Sequence, residues 1–178
     1  LRQAEAVLAE ARRVAAALDD ERLAANALVR QLRLRLQITT DATAEAASAA
    51  EQVLPVFERH RDVLGTYHAH RLEAWVYWIR GNVGAASAAW ETAAEHARRA
   101  GASREEAEAR VWLSYAALAG PTPAREGVAR CEELASLLAH RPMAAALVLD
   151  PLAALQAMLG RFDEARASLA RARTILAD

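Results

Sequence analysis

The sequence predicts an all-α fold, an α-solenoid of about nine helices in which helical hairpins stack into a right-handed superhelix. Three observations predict it. Apolar residues recur with the helical period over nearly the whole chain, and no stretch alternates as a strand does. Alanine, the strongest helix former, fills 47 of the 178 positions, against 7 glycines and 5 prolines, so long helices run with few interruptions and can approach one another closely. One pattern of small and large apolar residues also returns at fixed offsets from a glycine, as a repeat architecture requires.

Each element follows in order. A leading helix is expected over 2–18, ending at "LDDER", and a second over 20–37, ending at "TTDAT", where Asp41 is placed to cap the helix over 43–59. Pro55 lies inside that third helix, where proline removes a backbone hydrogen bond and kinks the chain. The helix over 62–80 stops at "RGN" and the one over 83–99 at "RAGAS". There Gly101 suits a left-handed helix end and Ser103 an N-cap for the helix over 103–119. "AGPTP" separates this from 124–139. "HRP" opens 142–159, split or bent at Pro151, and Gly160 makes the turn before 161–177. The hairpins, at about 20–60, 61–99, 102–139 and 142–177, form a single repeat domain behind the helix 2–18.

The internal repeat is explicit. Phe162, Ala165, Leu169 and Ala172 follow Gly160 at offsets of 2, 5, 9 and 12, and Val83, Ala86, Trp90 and Ala93 follow Gly81 at the same offsets. With two extra loop residues, Gly127, Cys131 and Leu134 take those places after Gly120; Ala4, Leu8 and Ala11 share the spacing. Small residues sit where the two helices of a hairpin cross, and the larger residue fills the space beside the next hairpin. Ala86, Trp90, Ala165 and Leu169 are therefore expected to be buried. The period is about 38–42 residues, and one hairpin cannot bury its apolar face alone, so hairpins stack.

This small–large–small second helix with its turn glycine resembles the tetratricopeptide repeat. Ala74 and Tyr77 match the first-helix positions, Glu73 stands where leucine is usual, and the period exceeds the standard of about 34. Over about 60–178, the stretches "AEHARRAG", "REEAEARVWLSYAALAGPTP", "ARCEELASLL" and "AMLGRFDEARASLARARTIL" resemble the carboxy-terminal repeat region of actinobacterial proteins that join an adenylate/guanylate cyclase domain to an ATPase domain. Related repeats precede a helix-turn-helix in transcriptional regulators. The resemblance implies a fragment of a larger bacterial signalling protein.

Composition narrows the chemistry. The formal net charge is -1, and all 22 basic residues are arginine. That balance argues against bulk attraction to nucleic acid or an anionic membrane. The single cysteine, Cys131, excludes a disulfide framework and a zinc motif, and it sits at a large apolar position as a buried thiol. No apolar run reaches membrane-spanning length and no signal-peptide pattern opens the chain, so a cytoplasmic location is expected. There is no "GxxxxGK[ST]" and no "HExxH", and His68 and His70 point apart on a helix, so no cofactor, metal or catalytic residue is expected. Glu105, Glu106 and Glu108 suit a helix start, where the dipole favours negative charge.

In tetratricopeptide-like repeats the first helix of each hairpin lines a concave groove. By that register the groove residues are Asn26, Arg33, His68, Arg71, Trp75, Trp78, Arg110, Ser114 and Asp150. His68, Arg71, Trp75 and Trp78 share one helix face. Arginine beside tryptophan suits carboxylates, phosphates and protein hot spots, although packing between helices and pairing with acids account for the same residues. The expected function is a non-catalytic sensor or regulatory module that binds a protein, a peptide or a small anionic ligand. The alternative is a scaffold that self-associates through the ends of the array.

Overall fold

The computed structural model describes residues 2–177. Among them are nine helices: α1 (Arg2–Ala17), α2 (Glu21–Leu36), α3 (Thr43–Arg59), α4 (Val63–Ile79), α5 (Val83–Arg99), α6 (Ser103–Ala119), α7 (Ala124–Leu137), α8 (Pro142–Met158) and α9 (Phe162–Ala177). The fold is all-α, as the periodicity predicts, with every boundary within two residues of its expected place. The chain divides into two compact units, Leu1–Ala102 and Ser103–Asp178.

One turn design recurs. The N–H groups of Asp20, Asp62, Asn82, Ala102 and Arg161 donate to the carbonyls of Ala15, Phe57, Tyr77, Ala97 and Gln156 at 2.8–3.0 Å. The residue before each (Asp19, Arg61, Gly81, Gly101 and Gly160) has φ between 50° and 75°. This is the Schellman closure, in which a left-handed residue lets the chain fold back onto the last carbonyls of a helix. After three of these turns a side chain caps the next helix: Asp20, Asp62 and Asn82 accept from the N–H groups of Leu23, Gly65 and Ala85.

Two cap expectations are corrected. Asp41 does not cap α3, which begins behind Ala42, one residue later. Ser103 is the first residue of α6, and its hydroxyl accepts from Arg141. As expected, the chain turns at "AGPTP", over 120–123, and the Gly120 N–H still donates to the Ala116 carbonyl at 2.9 Å. α3 runs through Pro55, and α8 runs through Pro151 without a split.

In the first unit, α4 packs against α2, α3 and α5. Its core joins Val29 and Leu32 of α2, Val53 and Phe57 of α3, and Ala69, Leu72 and Val76 of α4. Ala86, Trp90 and Ala93 seat α5 and are fully buried. In the second unit α8 packs against α6, α7 and α9. Cys131 and Leu134 are buried there as the repeat predicts. Gly127 allows a close approach, because a Cβ would stand 3.1 Å from the Leu155 methyls. Ala165 and Ala172 are buried against the rest of this unit, but Leu169 is 38% exposed. The expected burial of Leu169 fails because it needs a helix on the far side of α9, and α8 is the element against which α9 packs.

Gly65 is the tightest point of the first unit. A Cβ there would lie 2.4 Å from the ring of Phe57, which is itself fully buried. Gly65→Ala is therefore expected to lower stability by about 1–3 kcal/mol through overpacking. A urea midpoint unchanged from wild type would contradict this packing.

Candidate anion-binding site

The packing of α2 against α4 places four basic or imidazole side chains in one pocket. Arg30 and Arg33 lie one turn apart on α2, and His68 and Arg71 lie one turn apart on α4, so each pair shares a helix face. Val29 and Leu34 of α2, with Ala4 and Leu8 of α1, complete the walls of a pocket of about 220 Å³. None of the described residues that line it is acidic.

The α4 side of the pocket is deeply set: His68 is 7% exposed and Arg71 6%. The Arg71 guanidinium lies over the ring of buried Tyr67, 5.8 Å from its centroid, a cation–π contact. Tyr67 also packs on the His68 ring at 4.9 Å. Arg30 Nη2 donates to His68 Nε2 at 3.1 Å. A guanidinium has donors only, so this contact requires a neutral imidazole with its proton on Nδ1. Burial holds the His68 pKa down to about 3, and the Arg30, Arg71 and Arg33 charges add to that effect, against which Asp62 acts alone. The field at the imidazole is therefore positive, in a pocket with apolar walls. Such a site suits a carboxylate or a phosphate, which arginine forks can hold with paired hydrogen bonds.

The predicted groove residues separate. Arg33, His68 and Arg71 meet in this pocket. Asn26 lies on the same helix but is engaged in the fold: its amide donates to the Arg22 carbonyl and to Asp62, which caps α4. Trp75 is half-buried and meets the fully buried Trp90 of α5 edge-on at 6.0 Å, so it contributes to packing within its own hairpin. Trp78 is half-buried and does not line the pocket. Arg110, Ser114 and Asp150 belong to the second unit. Arg110 is paired with Glu106 at 2.9 Å. Ser114 is not a groove residue, because it is fully buried and donates to the Val111 carbonyl at 2.7 Å. Asp150 is exposed and accepts from Tyr115 at 3.4 Å. Arg30 was missed by the sequence reading. Its signal was the spacing of three from Arg33, the same as between His68 and Arg71.

Other titratable groups are committed locally. His70 lies 3.1 Å from Glu73, which also accepts from Tyr77, and its ring stacks on His96. Hydrogen bonding to His70 holds the Glu73 carboxyl below the usual range, and burial lowers His96. Burial pushes the Cys131 thiol up to about 11, which keeps it in the unreactive protonated form. Among the described residues, no group of three or more His, Cys, Asp or Glu is placed to hold a metal ion. None of the described helices is long and apolar enough to cross a membrane. Comparison of the chain with protein-family models, with curated proteins and with solved structures found no match.

The state of His68 has a consequence for stability. Its folded pKa, about 3, lies below the unfolded value of about 6.5. Between these values the unfolded chain binds the extra proton, so the contribution is complete above about pH 6.5 and is lost as pH falls toward 3. Between pH 7 and pH 5 this residue alone should cost about 2 kcal/mol. His96, also lowered, acts in the same direction. Urea denaturation at both pH values should therefore show a smaller loss in His68→Gln than in wild type. Equal losses would mean that His68 is not buried in its neutral form.

Proposed function

We propose that the chain is a non-catalytic binding module, the sensor or regulatory segment of a multidomain bacterial signalling or transcription regulator, and that it holds an anionic group of a protein, peptide or small ligand at α2 and α4. The observation that carries this reading is the pocket itself, in which three guanidiniums and a neutral imidazole meet apolar walls with no acid among the described lining residues. The tetratricopeptide-like spacing of the turns and small residues supports the wider setting, since such repeats present side chains from the first helix of each hairpin to a partner. In that setting the protein works in the cytoplasm, and attached domains carry any catalysis.

A second reading, a self-associating scaffold, draws on α9. Phe162, Leu169 and Leu176 are exposed at intervals of seven residues, which keeps them on one stripe of the helix. In the scaffold reading, sedimentation velocity should show a concentration-dependent dimer that Leu169→Glu abolishes; in the binding-module reading the sedimentation of the two proteins is the same.

The binding reading is tested by calorimetry with a glutamate decapeptide and an arginine decapeptide. The acidic peptide should bind and the basic one should not. Arg30→Gln and Arg33→Gln should each weaken binding about tenfold or more, the worth of one hydrogen bond between charged groups. Both should leave the helical circular dichroism signal intact. Affinity for both peptides alike, or indifference to both changes, overturns the reading.

A further inference from the structure

We infer that the pocket between α2 and α4 receives a tetrahedral dianion of the phosphoryl type, and that His68 takes up a proton as the dianion enters. This rests on the anion-binding reading above and adds to it a ligand class and a coupled protonation.

Arg30 donates to His68 Nε2, so the one imidazole nitrogen that this arginine engages is an acceptor and has nothing to offer an anion. An oxyanion entering between Arg30, Arg33 and Arg71 competes for the Arg30 donor. When Arg30 turns to the oxyanion, Nε2 loses its donor while buried, and a buried imidazole nitrogen without a partner is unfavourable. A proton taken from solvent onto Nε2 repairs this. The ring then carries a proton on each nitrogen and becomes a further donor to the bound group. One proton moves from hydronium or a buffer acid in the solvent to Nε2: the donor's bond to that proton breaks, an N–H bond forms on the ring, and no other bond changes.

The charges around His68 favour the same change. From α2 the facing groups are Arg30 and Arg33, from α4 Arg71, and from the turn before α4 Asp62. From α1 the pocket is lined by Ala4 and Leu8, which carry no charge. Burial and the three guanidiniums favour the neutral ring, and an entering negative charge offsets the guanidiniums. An opposite charge at close range raises a basic group by about 1–3 pKa units, and a dianion acts more strongly than a monoanion. A dianion therefore raises the ring further toward protonation than a lone carboxylate does.

The size fits a headgroup on a short stem. A pocket of about 220 Å³ has the volume of about seven waters at roughly 30 Å³ each. That accommodates a phosphoryl group with a few further atoms, which Val29 and Leu34 can seat. The same group occurs on small phosphate esters and on phosphorylated side chains.

The test uses isothermal titration of the full chain with sulfate, a dianion that does not itself titrate between pH 5.5 and 7.5, and with acetate as the monoanion. Sulfate affinity should rise as pH falls, by up to about tenfold per pH unit when one proton is taken up. Titration in two buffers of different ionisation heat should show proton uptake. His68→Gln cannot take up the proton, so its sulfate affinity should be equal at both pH values, whatever its size. If that variant does not fold, the NMR signal of the His68 ring in the wild type decides the matter, since it should titrate to higher pH with sulfate present. Sulfate binding that is lost in Arg30→Gln but independent of pH in the wild type overturns the proton uptake and leaves the anion site standing. Absence of sulfate, phosphate and acidic-peptide binding overturns both, and equal affinity for acetate and sulfate overturns the ligand class. With the proposal upheld, tighter binding of a phosphoserine peptide than of O-phosphoserine assigns the group to a protein partner, and equal affinity assigns it to a small ester.

Discussion

The central constraint in the first unit is the enclosure of α4. It packs against α2, α3 and α5, so a helix that carries two histidines, an arginine and a glutamate must hold several of them out of water. Burying a polar group without a partner costs energy, so the surroundings of α4 are arranged to compensate. Asp62 caps its first turn and also anchors Asn26 of α2. Gly65 admits the Phe57 ring of α3 against the helix backbone. Arg71 lies over Tyr67, and His68 accepts from Arg30. His70, on the other side of the helix, meets Glu73 and the ring of His96. One face of α4 thus makes the pocket while the rest holds the hairpins together.

Enclosure also gives the pocket its chemical character. A guanidinium at a wet surface is screened and interacts weakly with an anion, whereas one held against apolar walls interacts more strongly because the local dielectric is lower. Arg71 is buried and Arg30 stands at the exposed side of the pocket, so an entering anion can meet the Arg30 guanidinium first and that of Arg71 behind it. His68 lies beside both as a base that its surroundings keep neutral. The second unit contains no counterpart at its corresponding residues, since Ser114 is sealed in the core and Arg110 is paired with Glu106.

The periodicity of small and large residues, taken alone, determined the helical class, the number of helices and the places where the chain turns. These are local properties: helical phase, the scarcity of breakers and the glycine offsets are all written within one or two turns of the chain. The burial of Ala86, Trp90, Cys131 and Ala165 followed from the same spacing, because a residue on the inner stripe of a hairpin meets its own neighbour whatever lies beyond. Leu169 did not follow, because its burial depends on another helix beyond α9. Asp19 and Arg61 were hidden as turn residues because they take a conformation that the sequence associates with glycine, held there by the Schellman bonds of the folded chain. The site was legible only in part. The spacing marked Arg33, His68 and Arg71 as sharing inner faces of first helices, but it grouped them with Trp75, which packs on Trp90, and with Ser114, which is buried. It also passed over Arg30. Sequence spacing states which residues share a face of one helix. Only the packing of α2 against α4 decided which faces meet, and therefore that an arginine on one helix donates to a neutral histidine on the other.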